Sequence, residues 1–207
     1  MSLYAPRAFA SRDLAQLDAL AGRHDFASLV TVGDDGPFAS HVPVLYRRDD
    51  ARVTVEGHLA RANPQATHGG SALLMLHGPQ AYVSPSWYPD KADQARVPTW
   101  NYAVAHLVGR LEWFDDEPGL ASLVSRLSER HEARVGSDWR FDLDAPAERV
   151  QLRGIVGFRL HVERVDLKLK LSQNHPDANR RAVIARLEGG DETSRDVARM
   201  MRDTLET

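Results

Sequence analysis

The chain has 207 residues, 43% of them hydrophobic, and its 26 basic and 29 acidic residues give a formal net charge of −3. This balance argues against a protein that holds nucleic acid or an anionic membrane by bulk charge. Cysteine is absent from the sequence, which excludes disulfides, thiolate catalysis and every metal centre that needs a cysteine ligand.

The first part of the chain predicts a helix followed by strands. Ser11 is an N-cap candidate for apolar residues at helical spacing over 11–21, and Gly22 would end that helix. Between Phe26 and His58, three strand-like runs are separated by turns at 33–36 and 47–50. Because these turns are too short for crossover helices, they predict an antiparallel meander.

The rest of the chain predicts longer strands and five more helices. After His58, Asn63 as N-cap and Pro64 at the first helical position indicate a short helix that Gly69 and Gly70 end. Strands are predicted at 71–77, 80–84, about 98–114 and 154–171, and helices at about 118–134, 146–152, 176–188 and 192–205.

No repeat, low-complexity tract or flexible linker divides the sequence. We therefore predict one domain with an antiparallel unit of six or seven strands and surrounding helices, most simply a closed or partly closed barrel. Closure would remove exposed strand edges. The N-terminal residues lack a signal peptide's apolar run, and no stretch of about 18 apolar residues occurs, so we expect a soluble cytoplasmic protein without a membrane span.

The segment from Glu56 to Pro64 predicts an anion site. A strand end, the guanidinium of Arg61 and the start of a capped helix would direct positive groups and free N–H donors to one spot. The glycine motifs of P-loops and Rossmann folds are absent from the sequence. An ordinary capped helix with a solvent-facing arginine is the alternative.

Two further patterns have both a functional and a structural interpretation. Five of the nine Trp and Tyr residues fall between 82 and 102, which suits a planar ligand or a subunit interface and also a barrel core. Only three of the 26 basic residues are lysines. Strand alternation places Lys168, Lys170 and Ser172 on one face, which an exposed charged surface also explains. The spacing of His41, His58 and His106 matches no metal motif, so we expect no metal site.

Six motifs spread in order over nearly the whole chain resemble the PaiB-like family. They are 1–9, 41–45, 57–65, 82–88, 97–102 with His106 and Gly109, and 170–174. The family is described as FMN-binding negative transcriptional regulators whose fold is shared with pyridoxamine 5′-phosphate oxidase-like flavoproteins. The resemblance implies a mainly β protein with peripheral α-helices: an antiparallel six- or seven-stranded split barrel forming one domain over 1–207, with a C-terminal helical cover at about 176–207.

The resemblance also implies a homodimer that holds FMN between its subunits. On the matching positions, the flavin phosphate would be bound by His58, Ala60, Arg61 and Asn63. The ring would lie near His41 and Val42, with Trp100, Asn101 and Tyr102 reaching in from the partner subunit. Lys170, Ser172 and Gln173 would close the ring end.

The function implied is flavin redox chemistry on a small molecule or flavin sensing, with an FMN-dependent oxidoreductase as one form of it. Trp87, Tyr88 and Lys91 are candidate substrate contacts. The alternative is a repressor that binds DNA or a protein and uses FMN as a structural or sensory ligand. Six arginines of the C-terminal helices are offset by seven acidic residues, which favours the first interpretation. Haem binding by a barrel histidine is a third interpretation, for which the sequence has no motif.

Overall fold

The structure, a computed structural model, describes residues 3–205. Its strands are β1 (Ala10–Ser11), β2 (Phe26–Gly33), β3 (Gly36–Pro43), β4 (Leu45–Asp49), β5 (Arg52–Ala60), β6 (Ser71–Val83), β7 (Thr99–Phe114) and β8 (Ile155–Lys170). The helices are α1 (Leu14–Arg23), α2 (Glu117–Val135), α3 (Pro146–Arg149), α4 (Asp177–Glu188) and α5 (Glu192–Asp203). Short 3₁₀ helices cover Pro64–Thr67, Pro85–Trp87 and Val150–Gly154.

The predicted fold class is confirmed, but the sheet is not closed. Its order is β3-β2-β6-β7-β8-β5-β4, and the two-residue β1 pairs with β8. Strands β3 and β4 follow each other in the chain and lie at opposite ends of that order. The described strands therefore form a split barrel, so of the closed and partly closed forms that the sequence allows, the partly closed one is observed.

The predicted three-stranded meander is also wrong, because the run around His41 is two strands. Strand β3 ends at Pro43, which has no N–H to donate, and the next N–H, of Val44, donates to Asp25 O at 2.8 Å. Strand β5 pairs with β4 on one side and with β8 on the other, so neither of its edges accepts β3. The segment therefore forms two separate hairpins, β2–β3 and β4–β5.

The chain divides into two compact units. Unit 1 comprises the residues up to 20, 77–105 and those from 166 on; unit 2 comprises 21–76 and 106–165. Strands β6, β7 and β8 contribute residues to both. The core of unit 2 includes Leu29, Leu74, Leu107 and Phe158, each fully buried.

Most predicted helices are confirmed. Helix α2 buries a stripe of leucines, is capped by Asp116 and is followed by Gly136 in the left-handed conformation (φ 73°). Helices α4 and α5 form the predicted C-terminal pair in unit 1 and bury Val183, Val197 and Met201. The ends of the predicted cover and of the first motif, residues 206–207 and 1–2, lie outside the described residues.

Two local predictions were wrong. The cap of α1 is Asp13, whose Oδ1 accepts from Ala15 N at 2.8 Å, whereas the Ser11 hydroxyl accepts from Asp13 N. The two strands predicted around Gly78 form the single strand β6. A Cβ at Gly78 would lie 2.5 Å from Leu20 Cδ1, so this glycine serves close packing rather than a turn. Within residues 3–205, no helix is both long and apolar enough to cross a membrane.

An ion cluster in unit 2 ties α2 to the end of α1. Arg130 Nε and Arg134 Nη1 donate to the buried carboxylate of Asp25 at 2.6 and 2.9 Å. The Nη2 groups of both arginines donate to Gly22 O, and Arg130 Nη2 also donates to Ala21 O. Burial alone raises the pKa of Asp25, but the hydrogen bonds and charges of Arg134 and Arg130 outweigh it and hold the pKa below its ordinary value of 3.8.

Asp25→Asn is expected to lower the free energy of unfolding by about 2 kcal/mol at neutral pH, because both arginines lose a charged acceptor. Since the pKa of Asp25 is lower in the folded state, the carboxylate stabilises the fold above pH 3.8 and this contribution is lost as the pH falls through the folded value. Urea unfolding at pH 7 and pH 3 should show the difference between wild type and variant shrinking in acid. Asp35→Asn, in an exposed turn, is the control, and equal effects of both variants would contradict the assignment.

Candidate functional site

Arg61 follows β5 directly and lies at the surface of unit 2. Its backbone N–H donates to Gly154 O at 2.8 Å, and its Nε donates to Arg153 O at 3.0 Å. Nη1 lies 3.1 Å from Asp115 Oδ2, and the two side chains are 46% and 67% exposed. A guanidinium has more N–H donors than these contacts use, so Arg61 is held in place and can still bind an oxyanion.

Asn63 is the helix cap that the sequence predicts, but the helix is only a four-residue 3₁₀ turn. Asn63 Oδ1 accepts from Gln65 N at 2.9 Å, and Asn63 Nδ2 donates to Ser40 Oγ at 2.9 Å. One turn of 3₁₀ helix has no appreciable macrodipole, and the cap uses the first free N–H. The expected contribution of a helix end to the anion site was therefore wrong. The Ser40 contact nevertheless brings β3 to the segment that contains Arg61.

The two histidines of this unit that were predicted to contact the flavin, His41 and His58, differ in their surroundings. His58 shares the outer face of β5 with the exposed Ala60, on either side of the buried Leu59. The Nδ1 atom of His58 is buried without a hydrogen-bond partner, and burial lowers the pKa of this histidine. His41 is exposed and its Nδ1 lies 2.9 Å from Ser28 Oγ, whereas the neighbouring Val42 is buried. Within residues 3–205, no three His, Asp or Glu residues are placed to hold a metal ion.

Gln65 is a residue whose importance the sequence did not reveal. It is fully buried, and its Nε2 lies 3.0 Å from both Leu29 O and Thr31 Oγ1 and 3.2 Å from Phe38 O. This one amide therefore holds the turn after β5 to β2 and β3. The available signal was a glutamine directly after Asn-Pro, in the motif at 57–65.

Unit 1 brings together the predicted residues of β7 and those at and after the end of β8. Lys170 Nζ donates to Thr99 Oγ1 and, at 2.9 Å, to Trp100 O. Burial lowers the pKa of Lys170, against the opposing effect of Tyr102. Asn101 is fully buried, and its Nδ2 donates to Ser172 Oγ at 3.0 Å. Because Asn101 and Ser172 bind each other, a flavin contact from either stays a prediction.

The remaining predicted residues of unit 1 also have defined partners. Lys168 is only 9% exposed and lies over the ring of Tyr102 at 5.2 Å, so the interpretation of this strand as an exposed charged face was wrong. Gln173 binds backbone atoms of Leu169 and Leu171. Trp100 is 51% exposed and contacts Tyr82 edge to face, with ring centroids 6.0 Å apart.

Contacts of its aromatic and charged residues hold the loop between β6 and β7 in place. Tyr88 is 1% exposed and stacks on His175 with centroids 4.9 Å apart. Arg96 pairs with Asp90, whose two oxygens also accept from Asn179 Nδ2 at 3.0 Å. Lys91 donates to Ser86 O at 2.6 Å. Tyr88 is therefore a core residue, and the substrate contacts predicted for Trp87 and Lys91 stay predictions.

Arginines of the C-terminal helices are paired within unit 1, as the acidic residues predict. Arg199 binds Asp196 at 2.6 Å, and Arg202 binds Glu188. The partly buried Arg180 donates to Thr204 Oγ1 at 2.6 Å. These pairs offset much of the positive charge that a nucleic-acid-binding helix would present.

Comparison with known proteins agrees with this fold. A family model described as "Putative FMN-binding domain" matches residues 3–164. The Bacillus subtilis (strain 168) "Protease synthase and sporulation protein PAI 2" is 29% identical over 208 residues, which cover 98% of each chain.

Two solved structures are similar in fold. The flavocytochrome Anf3 from Azotobacter vinelandii has a TM-score of 0.59 at 16% identity, covering 80% of this chain and 72% of the other. The FAD and heme binding protein from Mycobacterium smegmatis has a TM-score of 0.59 at 18% identity, covering 88% and 80%. At such low identity these likenesses show the fold alone.

Proposed function

The chain belongs to the PaiB-like family of FMN-binding split-barrel proteins, and from that premise we propose that it binds FMN, with the phosphate held at Arg61. The observation that carries the proposal is the state of this guanidinium. Its Nε is held by the carbonyl of Arg153, and the side chain remains 46% exposed, with N–H groups still available to bind a phosphate.

The neighbouring residues fit a phosphate ester. The buried and unpartnered Nδ1 of His58 is a polar atom for which a ligand can supply a hydrogen bond. The lowered pKa of His58 keeps the imidazole neutral, so it can accept or donate that bond according to its tautomer. Asn63 acts through position: it ties the chain after Arg61 to Ser40 on β3. Ala60, with its small exposed side chain, leaves room beside Arg61.

We extend the proposal to a homodimer, in which each subunit covers the flavin ring bound along His41 and Val42 of the other. The exposed aromatic pair Trp100–Tyr82 supports this, because such a surface is typical of subunit interfaces. Lys170 is held at the same end of β7 by Trp100 O. In this arrangement Tyr102, Lys170 and Gln173 belong to the ring end, with Asn101 and Ser172 supporting them from within.

Bound FMN would supply electron transfer at its ring, and the residues of the chain would bind and orient it. We favour a redox or flavin-sensing role over direct DNA binding, because Arg199 and Arg202, two of the arginines that a groove contact would need, are paired with acidic residues of α5 and α4. A transcriptional effect of this protein would then follow from the state of the flavin.

The test compares two variants with opposite expected effects on FMN affinity. Arg61→Ala should weaken binding about tenfold to a hundredfold, since a charge-assisted hydrogen bond contributes roughly 1.5–3 kcal/mol. Asp115→Asn should strengthen it severalfold, because Asp115 competes with the phosphate for Arg61. Titration of apoprotein with FMN, followed by flavin fluorescence, measures both, and sedimentation of the loaded protein should show a dimer.

The opposite signs separate a phosphate ligand from a structural arginine. If the Arg61–Asp115 pair served stability only, both variants would weaken FMN binding or neither would change it. Wild-type protein that binds no FMN would overturn the proposal, as would an Arg61→Ala variant with unchanged affinity. Riboflavin, which lacks the phosphate, provides a further control: its binding should be insensitive to Arg61→Ala.

A further inference from the structure

A pocket of about 450 Å³ lies in unit 2 and includes none of the residues assigned to the flavin. Strands β4, β5 and β8 and helix α2 form its walls. The lining residues are Leu45, Tyr46, Arg47, Thr54, Glu56, Arg126 and Arg159. Its volume is in the range of pockets that take small organic molecules, and its walls combine apolar groups with a few charged ones.

Glu56 orients two of the three arginines. It is 14% exposed and accepts from Arg159 Nε and Nη2 at 2.9 and 2.7 Å, and its other oxygen lies 2.8 Å from Arg126 Nη1. Burial alone raises the pKa of Glu56, but the hydrogen bonds from Arg159 and Arg126 outweigh this effect and hold the pKa below its ordinary value. The carboxylate therefore stays charged. Both guanidiniums are therefore fixed before any ligand arrives.

Two more side chains hold the guanidinium of Arg159 in place. Its guanidinium lies 5.4 Å above the ring of Phe114, and its Nη1 lies 3.7 Å from Glu112 Oε1. Glu112 is itself bound by His161 at 2.6 Å. Loss of conformational entropy is the main cost when a long side chain binds a ligand. A guanidinium fixed in this way loses little of it.

Arg47 provides a positive charge that no described acidic side chain of the pocket balances. It projects from β4 opposite Thr54 of β5, and its side chain has no described hydrogen bond or ion pair. The three arginines and Glu56 give the lining a positive surplus, and Glu112 behind Arg159 reduces this surplus without removing it. Arginine forks suit carboxylate and phosphate groups, while Leu45 and Tyr46 offer a surface to an apolar or aromatic body.

We propose that this pocket binds a small organic anion, namely a carboxylate or phosphate group carried on an apolar or aromatic body. Arg47 is the primary ligand of the anionic group, and Arg126 and Arg159 contribute the N–H groups that Glu56 leaves available. The proposal does not depend on FMN binding, because the lining shares no residue with the proposed flavin site.

The experiment is calorimetric titration of the purified protein with benzoate, with phenyl phosphate and with uncharged benzamide. At least one of the two anions should bind saturably, and benzamide should not. Arg47→Ala should weaken anion binding at least tenfold, the usual effect of losing one charge-assisted hydrogen bond. Arg48→Ala, the neighbouring strand residue outside the lining, should leave it unchanged.

Three results of these titrations would overturn the proposal: benzamide binding as well as the anions, equal effects of Arg47→Ala and Arg48→Ala, or no binding of either anion.

Parallel titration of the same variants with FMN tests whether the pocket and the flavin site are distinct. If Arg47→Ala also abolished FMN binding, the pocket would belong to the flavin site and the separate site proposed here would be wrong. Loss of FMN binding in Arg61→Ala with anion binding retained would support two independent sites.

Discussion

Gly109→Ala is expected to leave little folded protein. A Cβ at this position of β7 would lie 2.0 Å from His161 O and 2.8 Å from Val162 Cα, both backbone atoms of β8. Atoms in two hydrogen-bonded strands cannot give way as the end of a flexible side chain can, so β7 and β8 would have to separate locally. We expect a loss of at least about 3 kcal/mol, a large part of the usual stability of a domain.

Soluble yield and urea unfolding, followed by circular dichroism, measure this effect. Gly69→Ala is the matched control, because a Cβ there meets no atom within 4 Å; its unfolding free energy should change by no more than about 0.5 kcal/mol. An unfolding midpoint for Gly109→Ala equal to that of wild type would show that the two strands lie farther apart than this backbone indicates. The close approach explains why a glycine interrupts the apolar alternation of β7.

The elements that the sequence predicts well are those set by local patterns. Helix α2 was predicted at about 118–134 from the spacing of apolar residues within one continuous stretch, and the structure confirms it at Glu117–Val135. Its cap, Asp116, and the glycine that follows it, Gly136, lie in the same stretch of sequence. The edges of the sheet could not be predicted in this way. Whether β5 pairs with β3 or with β8 depends on residues about a hundred positions away, and the only local hint was Pro43, which ends β3.

The residues of the candidate site also divide into those with a local sequence signal and those that only long-range contacts bring to the site. Asn63 was predicted as a cap from its neighbour Pro64, and the cap is confirmed. Asp115, which pairs with Arg61 across 54 positions, has no local signal that connects it to the anion site. Likewise, Arg126 is one of several polar residues on α2, and only the fold places it beside Glu56. Long-range pairs of charges determine the electrostatics of both sites, and periodicity carries no information about them.

Gln65→Leu is expected to destabilise the protein by about 2–4 kcal/mol, because it keeps the apolar volume but removes the side-chain amide that donates to Leu29 O and Phe38 O. The cost arises because buried acceptors lose this donor and no water replaces it. Thr31 Oγ1 loses one bond and keeps its contact of 2.7 Å with His68 Nδ1. The measurement is the free energy of unfolding from urea titration, with Gln80→Leu, at an exposed position of β6, as the control.

A second variant separates hydrogen bonding from packing. Gln65→Glu keeps nearly the same shape but places an acceptor where the three protein acceptors need a donor, so it should destabilise at least as much as Gln65→Leu. Since Gln65 anchors the turn that follows Arg61 and Asn63, both variants should also weaken FMN binding under conditions where they remain folded. If Gln65→Glu were as stable as wild type, the amide would not be what joins this turn to β2 and β3. The position of Arg61 would then depend on its own contacts with Arg153, Gly154 and Asp115.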